Sequence, residues 1–303
     1  MTLRYSLELP IQRVEAPAEF VSADAISEVT RAASRAGFDA VYVTDHPAPD
    51  TKWLDHGGHH ALDPFVALSF AAAADPHIRL HTNIYVAAYR NPFLGAKLVQ
   101  SLDVLSGGRL ILGVAAGYLK PEFIALGIDF DRRGELLDEA LAVLDAVLGG
   151  GDVAWEGEGF NARGVRLLPE TSTGTRPPVW VGGNSKAAIR RAARFDGWAP
   201  FYTGGFAKAS RTASLESIEE LGEAIAYVRS LVSDPDAAFD VCWSEPMLGD
   251  VSRSVDERCS RLAELEASGV TWVGVHLEGT DRADLLGAVD AFGTDVVRSK
   301  VGS

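Results

Sequence analysis

Short, nearly continuous apolar runs alternate along this chain with longer stretches whose apolar residues recur at helical spacing. That is the pattern of strands buried on both faces and of helices that cover them. Strands are predicted over residues 4–9, 40–44, 78–86, 109–115, 178–182, 197–202, 239–243 and 271–277. Between them, Leu137, Leu141, Leu144 and Leu148, and likewise Leu94, Leu98, Leu102 and Leu105, place one apolar stripe on a helix facing the sheet. Asp63-Pro64 and Asn91-Pro92 put a capping side chain ahead of a proline, whose missing N–H has no partner in a first helical turn anyway. Gly37, Gly107, Gly149 and Gly269 supply helix stops.

Eight such strand and helix units predict a parallel α/β fold closed into a (β/α)8 barrel, a TIM barrel with insertions. Residues 31–43 and 263–275 each run helix, glycine, strand, a weak repeat of one αβ unit. The alternation breaks over residues 153–169, where Gly157, Gly159 and Gly164 punctuate Trp155, Phe160 and Val165. This reads as a β-hairpin inserted between the fourth and fifth barrel strands, so residues 1–303 are expected to form a single barrel domain.

Composition narrows the function classes. A chain of 303 residues that is 47% hydrophobic can bury a large core. Its net charge of −14 and pI near 4.9, with no block of lysine or arginine, repel phosphate backbones and anionic headgroups. Nucleic acid and membrane surfaces are therefore not expected partners, and a small-molecule substrate is. Cys242 and Cys259 have no metal-ligand spacing, and a chain this long needs no disulfide staple, which suits a reducing cytoplasm. Residues 1–10 lack the apolar run of a signal peptide, and no stretch of eighteen apolar residues occurs.

In a parallel barrel, residues just beyond the strands' carboxyl ends share one rim, and the candidate chemistry collects there. Thr44-Asp45-His46-Pro47 offers His46 to hydrogen-bond a polar ring edge or relay a proton, with Asp45 fixing its tautomer; a histidine merely held in a turn by Pro47 is the alternative. Asn83-Ile84-Tyr85 interrupts a β-branched run and reads as a bulge. Ala116, Gly117 and Tyr118 end the fourth strand in small residues that leave room for a flat molecule or for close helix packing. Gly182 and Gly183, before a helix capped by Asn184 or Ser185, can cradle a phosphate or form a structural turn. His56, His59 and His60 sit in a glycine-rich loop without a neighbouring cysteine, which favours a substrate-covering or solvated loop over a metal site. His276, Glu278, Ser244 and Glu245 are further rim candidates, and the glutamates of residues 210–223 read as a solvated helix face.

Several of these stretches resemble the luciferase-like flavin-dependent monooxygenases and their coenzyme F420-dependent relatives. They are Asp45-His46, Asn91-Pro92, the block Leu102-Asp-Val-Leu-Ser-Gly-Gly-Arg-Leu-Ile-Leu-Gly-Val114, Gly117-Tyr118, Glu122-Phe123, Arg133-Gly134, Leu137-Asp138-Glu139 and Pro178-Val-Trp-Val-Gly-Gly-Asn184. The likeness runs from Leu3 to about Leu286 and implies a barrel with the cofactor ring over the strands' carboxyl ends. It implies a non-prolyl cis peptide at Asn83–Ile84 behind that ring, with Tyr85 beside it, a ring-side role for His46, and phosphate-holding roles for Gly182 and Gly183. Leu62-Asp-Pro-Phe65 and Gly182-Gly-Asn-Ser-Lys-Ala-Ala look most like the F420-dependent branch. The resemblance thus implies hydride transfer between F420 and a small, rather apolar organic substrate. The alternatives are an FMN-dependent monooxygenase using reduced flavin and oxygen, or a barrel that binds the cofactor without catalysis. A homodimer is also implied. Tyr118 stands where F420-dependent sugar-phosphate dehydrogenases resembling this chain carry an acidic residue, and no basic cluster for a phosphorylated sugar is evident in the sequence.

Overall fold

The computed structural model describes residues 3–157, 160–204, 213–250 and 252–298. Its strands, in chain order, are β1 (Arg4–Glu8), β2 (Ala40–Val43), β3 (Arg79–Val86), β4 (Leu110–Ala115), β5 (Val153–Gly157), β6 (Phe160–Val165), β7 (Val179–Gly182), β8 (Gly197–Ala199), β9 (Asp240–Ser244) and β10 (Trp272–Val275). Eight of them close into a parallel barrel in the order β1-β10-β9-β8-β7-β4-β3-β2, sealed where Arg4 pairs with Trp272. The antiparallel hairpin β5-β6 lies between the fourth and fifth barrel strands, as the glycine pattern predicted.

Strands β2, β7 and β10 are buried at every position, which is why their sequences show no polar alternation. Inside the barrel, Trp180 stands edge-on to His81 at 4.8 Å and to Trp272 at 5.2 Å. Complete burial, and after it the charge of Arg79, push the His81 imidazole down to about 3, so it is a neutral part of the packed floor. The repeated αβ unit is real: helices Ala23–Ala36 and Val255–Ser268 both end on a left-handed glycine, Gly37 at φ 94° and Gly269 at φ 99°, before β2 and β10.

The two leucine stripes fare differently. Leu137, Leu141, Leu144 and Leu148 are all buried on helix Arg133–Leu148. On helix Pro92–Ser106, Leu94 and Leu105 are 57% and 74% exposed, and the buried face is Ala96, Val99, Leu102 and Asp103. The small residues explain the rotation, because a Cβ on Gly95 would stand 2.9 Å from the Tyr85 hydroxyl; only this face can approach the barrel closely. Asp63 and Asn91 cap their helices as expected. Gly149 keeps a helical φ of −73°, and the left-handed turn falls to Gly150 at φ 84°. Glu219, Glu220 and Glu223 are exposed on helix Ile218–Leu231, while residues 205–212 lie outside the described residues. Among the described residues no helix is long and apolar enough to cross a membrane.

Candidate active site

A cavity of about 590 Å³ opens at the carboxyl ends of the strands. That volume lies inside the range of small-molecule and cofactor pockets. His46, Asn83, Ile84, Ala116, Gly117, Tyr118, Gly182 and Gly183 all line it, so the loops after β2, β4 and β7 converge with the bulge inside β3, as the sequence suggested. At its back the pairing of β3 with β4 slips between Thr82 and Tyr85, and the Asn83–Ile84 peptide is cis. The Asn83 amide approaches the Ser244 hydroxyl at 3.5 Å.

Two of the expected cofactor residues point elsewhere. The Tyr85 side chain packs outward, edge-on to Phe65 at 5.0 Å and beneath the Arg90 guanidinium at 4.7 Å, because alternation along the strand turns it away from Ile84. Asn184 is buried as a brace: its amide donates to the Phe201 carbonyl at 2.9 Å and its oxygen accepts from the Phe201 N–H at 3.1 Å. Ser185, not Asn184, caps helix Lys186–Ala192.

The carboxylate beside His46 is not the one expected. Asp45 accepts two bonds from Arg90, at 2.5 and 3.0 Å, and one from the Val86 N–H at 2.9 Å, which ties the β2 and β3 loops together and leaves it no reach to its neighbour. His46 Nδ1 instead lies 3.2 Å from Glu122, a fully buried side chain on the short helix Lys120–Ala125 that also accepts from the Tyr89 hydroxyl at 2.8 Å and the Ala48 N–H at 3.1 Å. Sequence reading missed this role although Glu122-Phe123 belonged to the matched stretch, because only the chain's turn after Tyr118 carries the residue back to the rim. An acid from the segment after β4, four positions beyond Tyr118, thus stands behind His46, outside the cavity lining. Burial, and then Glu122, push the Tyr118 phenol up to about 12, so it remains a hydrogen-bond donor at neutral pH.

Asp45→Ala would strand the Arg90 guanidinium, only 14% exposed, with Asp63 as its remaining carboxylate. It is expected to lower stability by about 3 kcal/mol, read as a shift in denaturant midpoint.

The opposite end of the cavity suits an anion. Gly183 has φ +111°, a conformation that favours glycine, and a Cβ on Gly182 would stand 2.1 Å from the Ile84 Cδ1 atom, so a side chain there would push the isoleucine aside. Ser185, Arg133 and Arg191 line the same end. Arg191 is held by Asp138 at 2.6 and 2.7 Å and by the Gly134 carbonyl at 3.2 Å, and it keeps the Asp138 carboxyl below its ordinary range. Arg133 lies fifty positions before Gly183 and Arg191 eight after it, so the two arginines meet only through the fold and no basic cluster was visible in the sequence.

Of the histidine-rich loop only His59 enters the cavity, edge-on to His46 at 4.8 Å; His56 and His60 are exposed. Among the described residues no group of three or more metal-ligating side chains is placed to hold an ion. His276 pairs with Glu8, a cavity-lining carboxylate, at 2.7 Å. Ser244 lines the cavity, whereas Glu245 is buried against Arg261 and Trp243, and Glu278 is exposed.

Residues 8–236 match the luciferase-like monooxygenase family, and the chain belongs to it. Among curated relatives, the F420-dependent glucose-6-phosphate dehydrogenase of Beutenbergia cavernae is 31% identical over 166 residues, 54% of this chain and 47% of that protein. Among solved structures, the monooxygenase RslO1 from Streptomyces bottropensis superposes with a TM-score of 0.78 at 19% identity, covering 98% of this chain and 100% of that one. The coenzyme F420-dependent tetrahydromethanopterin reductase from Methanopyrus kandleri does so with a TM-score of 0.74 at 16% identity, covering 99% of each chain. Those two likenesses establish the fold. Family membership makes the chain an oxidoreductase of the flavin- and F420-dependent class.

Proposed function

We propose that this chain is an F420-dependent oxidoreductase acting on a small organic substrate, and that its substrate pair is an alcohol and the corresponding carbonyl compound. The observation that carries the reading is the convergence on one cavity of the His46–Glu122 pair, the Asn83–Ile84 bulge and the Gly182–Gly183 turn flanked by Arg133 and Arg191. The F420-dependent name of the Beutenbergia cavernae relative supports the choice of cofactor. Gly183, Ser185, Arg133 and Arg191 would hold its phosphate, and Asn83 and Ile84 would back its ring. Bound there, a deazaflavin accepts or donates a hydride and does not readily activate oxygen.

The protein's own part is proton management and exclusion of water. When an alcohol loses a hydride from carbon it must also lose its hydroxyl proton. His46 Nε2 takes that proton, and Glu122 steadies the imidazolium that results. Tyr118 donates a hydrogen bond to the substrate oxygen. Ala116 and Gly117 line the cavity where a small, rather apolar substrate would lie. Titrating the purified protein with F420 and with FMN tests the reading: tighter binding of F420 is expected, and tight FMN binding with F420 ignored would overturn it in favour of an FMN-dependent monooxygenase.

The proposed setting is the cytoplasm, supported by two unpaired cysteines, and the proposed partner is a second copy of the chain. Helix Pro64–Ala74 is apolar on all sides except Ser69 and leaves Val66 57% and Phe70 45% exposed; the helix packed beside it exposes Leu94. A helix apolar all round is a buried helix, and a two-fold interface is the commonest way to bury one. Val66→Glu with Phe70→Glu is expected to convert a dimer to a monomer by light scattering.

A further inference from the structure

We infer that His59 is the cavity's second acid–base residue and carries protons between His46 and solvent. This rests on the oxidoreductase reading above and adds the route by which its proton leaves. The tautomers follow from the neighbours. Glu122 accepts at His46 Nδ1, so that nitrogen keeps its hydrogen and Nε2 is the atom that gains or loses one. The partner of His59 Nδ1 is the His60 carbonyl oxygen at 3.0 Å, which can only accept, so Nε2 is again the exchanging atom.

The two rings meet edge to face with centroids 4.8 Å apart and planes at 86°. Trp53 covers both, at 4.5 Å from His46 and 5.3 Å from His59. His46 is fixed on the barrel rim, whereas His59 sits on a loop folded back over it. Gly57 at φ +89°, and Gly58, where a Cβ would stand 2.4 Å from the Trp53 ring, permit that fold. His59 itself lines the cavity and is half-buried, so it faces both the cavity interior and water.

The step is a proton transfer alone. The substrate hydroxyl proton goes to His46 Nε2, passes by way of a bridging water to His59 Nε2, because edge-to-face rings do not align the two nitrogens directly, and leaves to solvent; both imidazoles end neutral, and reduction of a carbonyl runs the same path inward. The other ionisable groups facing the pair are Glu122, Tyr118 and Glu8, with Asp45 neutralised by Arg90. Burial, and after it the charge of His46, hold His59 below the ordinary imidazole range, which favours release of a proton that reaches it.

The first test uses the protein without cofactor, with isotope-labelled histidine followed by NMR across the pH range. In His46→Asn the His59 resonance is expected to titrate at higher pH than in the parent, because the opposing charge is gone. An unmoved titration overturns the proposal whatever cofactor the chain binds. In the loaded enzyme, His59→Asn is expected to lower turnover about tenfold in dilute buffer and to recover as imidazole is added, with cofactor affinity within about threefold of the parent. Parental turnover in dilute buffer also overturns it. A chain that fails to bind F420 contradicts the functional reading instead, and the NMR titration still decides the pairing.

Discussion

His46→Asn is expected to lower turnover with F420 and an alcohol at least about 100-fold, the lower end of what a positioned general base contributes. Asparagine keeps a donor near Glu122 but has no group that accepts a proton at neutral pH. Because His46 Nδ1 is engaged by Glu122 and only Nε2 serves the substrate, cofactor affinity should change little. The loss should therefore fall on kcat more than on KM, which steady-state kinetics separates. An unchanged kcat would mean that the imidazole only walls the pocket. Glu122→Gln offers a graded companion: the tautomer is kept but the imidazolium loses its charge partner, so a smaller loss in the same parameter is expected.

Gly182→Val is expected to weaken cofactor binding about 100-fold, equivalent to about 2.7 kcal/mol. A Cβ at this position would stand 2.1 Å from the Ile84 Cδ1 atom, and the next nearest atom is the Ala199 carbonyl oxygen at 3.5 Å. The isoleucine side chain can yield more easily than backbone, and the direction open to it is the cavity. The expected signature is lost affinity with a modest change in melting temperature, and partial recovery when Ile84→Ala is added. Equilibrium titration of the single and double variants measures it; full affinity in the single variant would remove Gly182 from the cradle.

The barrel was legible because its strands are buried on both faces, so β-branched and aromatic runs stand out from amphipathic helices without help from tertiary context. His46 and the paired glycines were legible because they sit at strand ends, where sequence position and rim position coincide, and Asn83 because it interrupts a β-branched run inside β3. Glu122, Arg133 and Arg191 were not, since they arrive on helices and turns whose approach depends on chain path rather than spacing. Adjacency misled at Asp45: next to His46 in sequence, it is claimed by Arg90, forty-five positions away. The leucine stripe of helix Pro92–Ser106 misled for a related reason, because Gly95 and Ala96 set the face of approach and periodicity alone does not see side-chain size.

A crystal structure of the chain with F420 bound tests the central claim most directly. The expected result is the deazaflavin ring against Asn83 and Ile84 with His46 at its edge, and the phosphate at Gly183, Ser185 and the two arginines. A cofactor found away from this mouth of the barrel, or lying in it with its phosphate remote from Gly183, would rule this site assignment out.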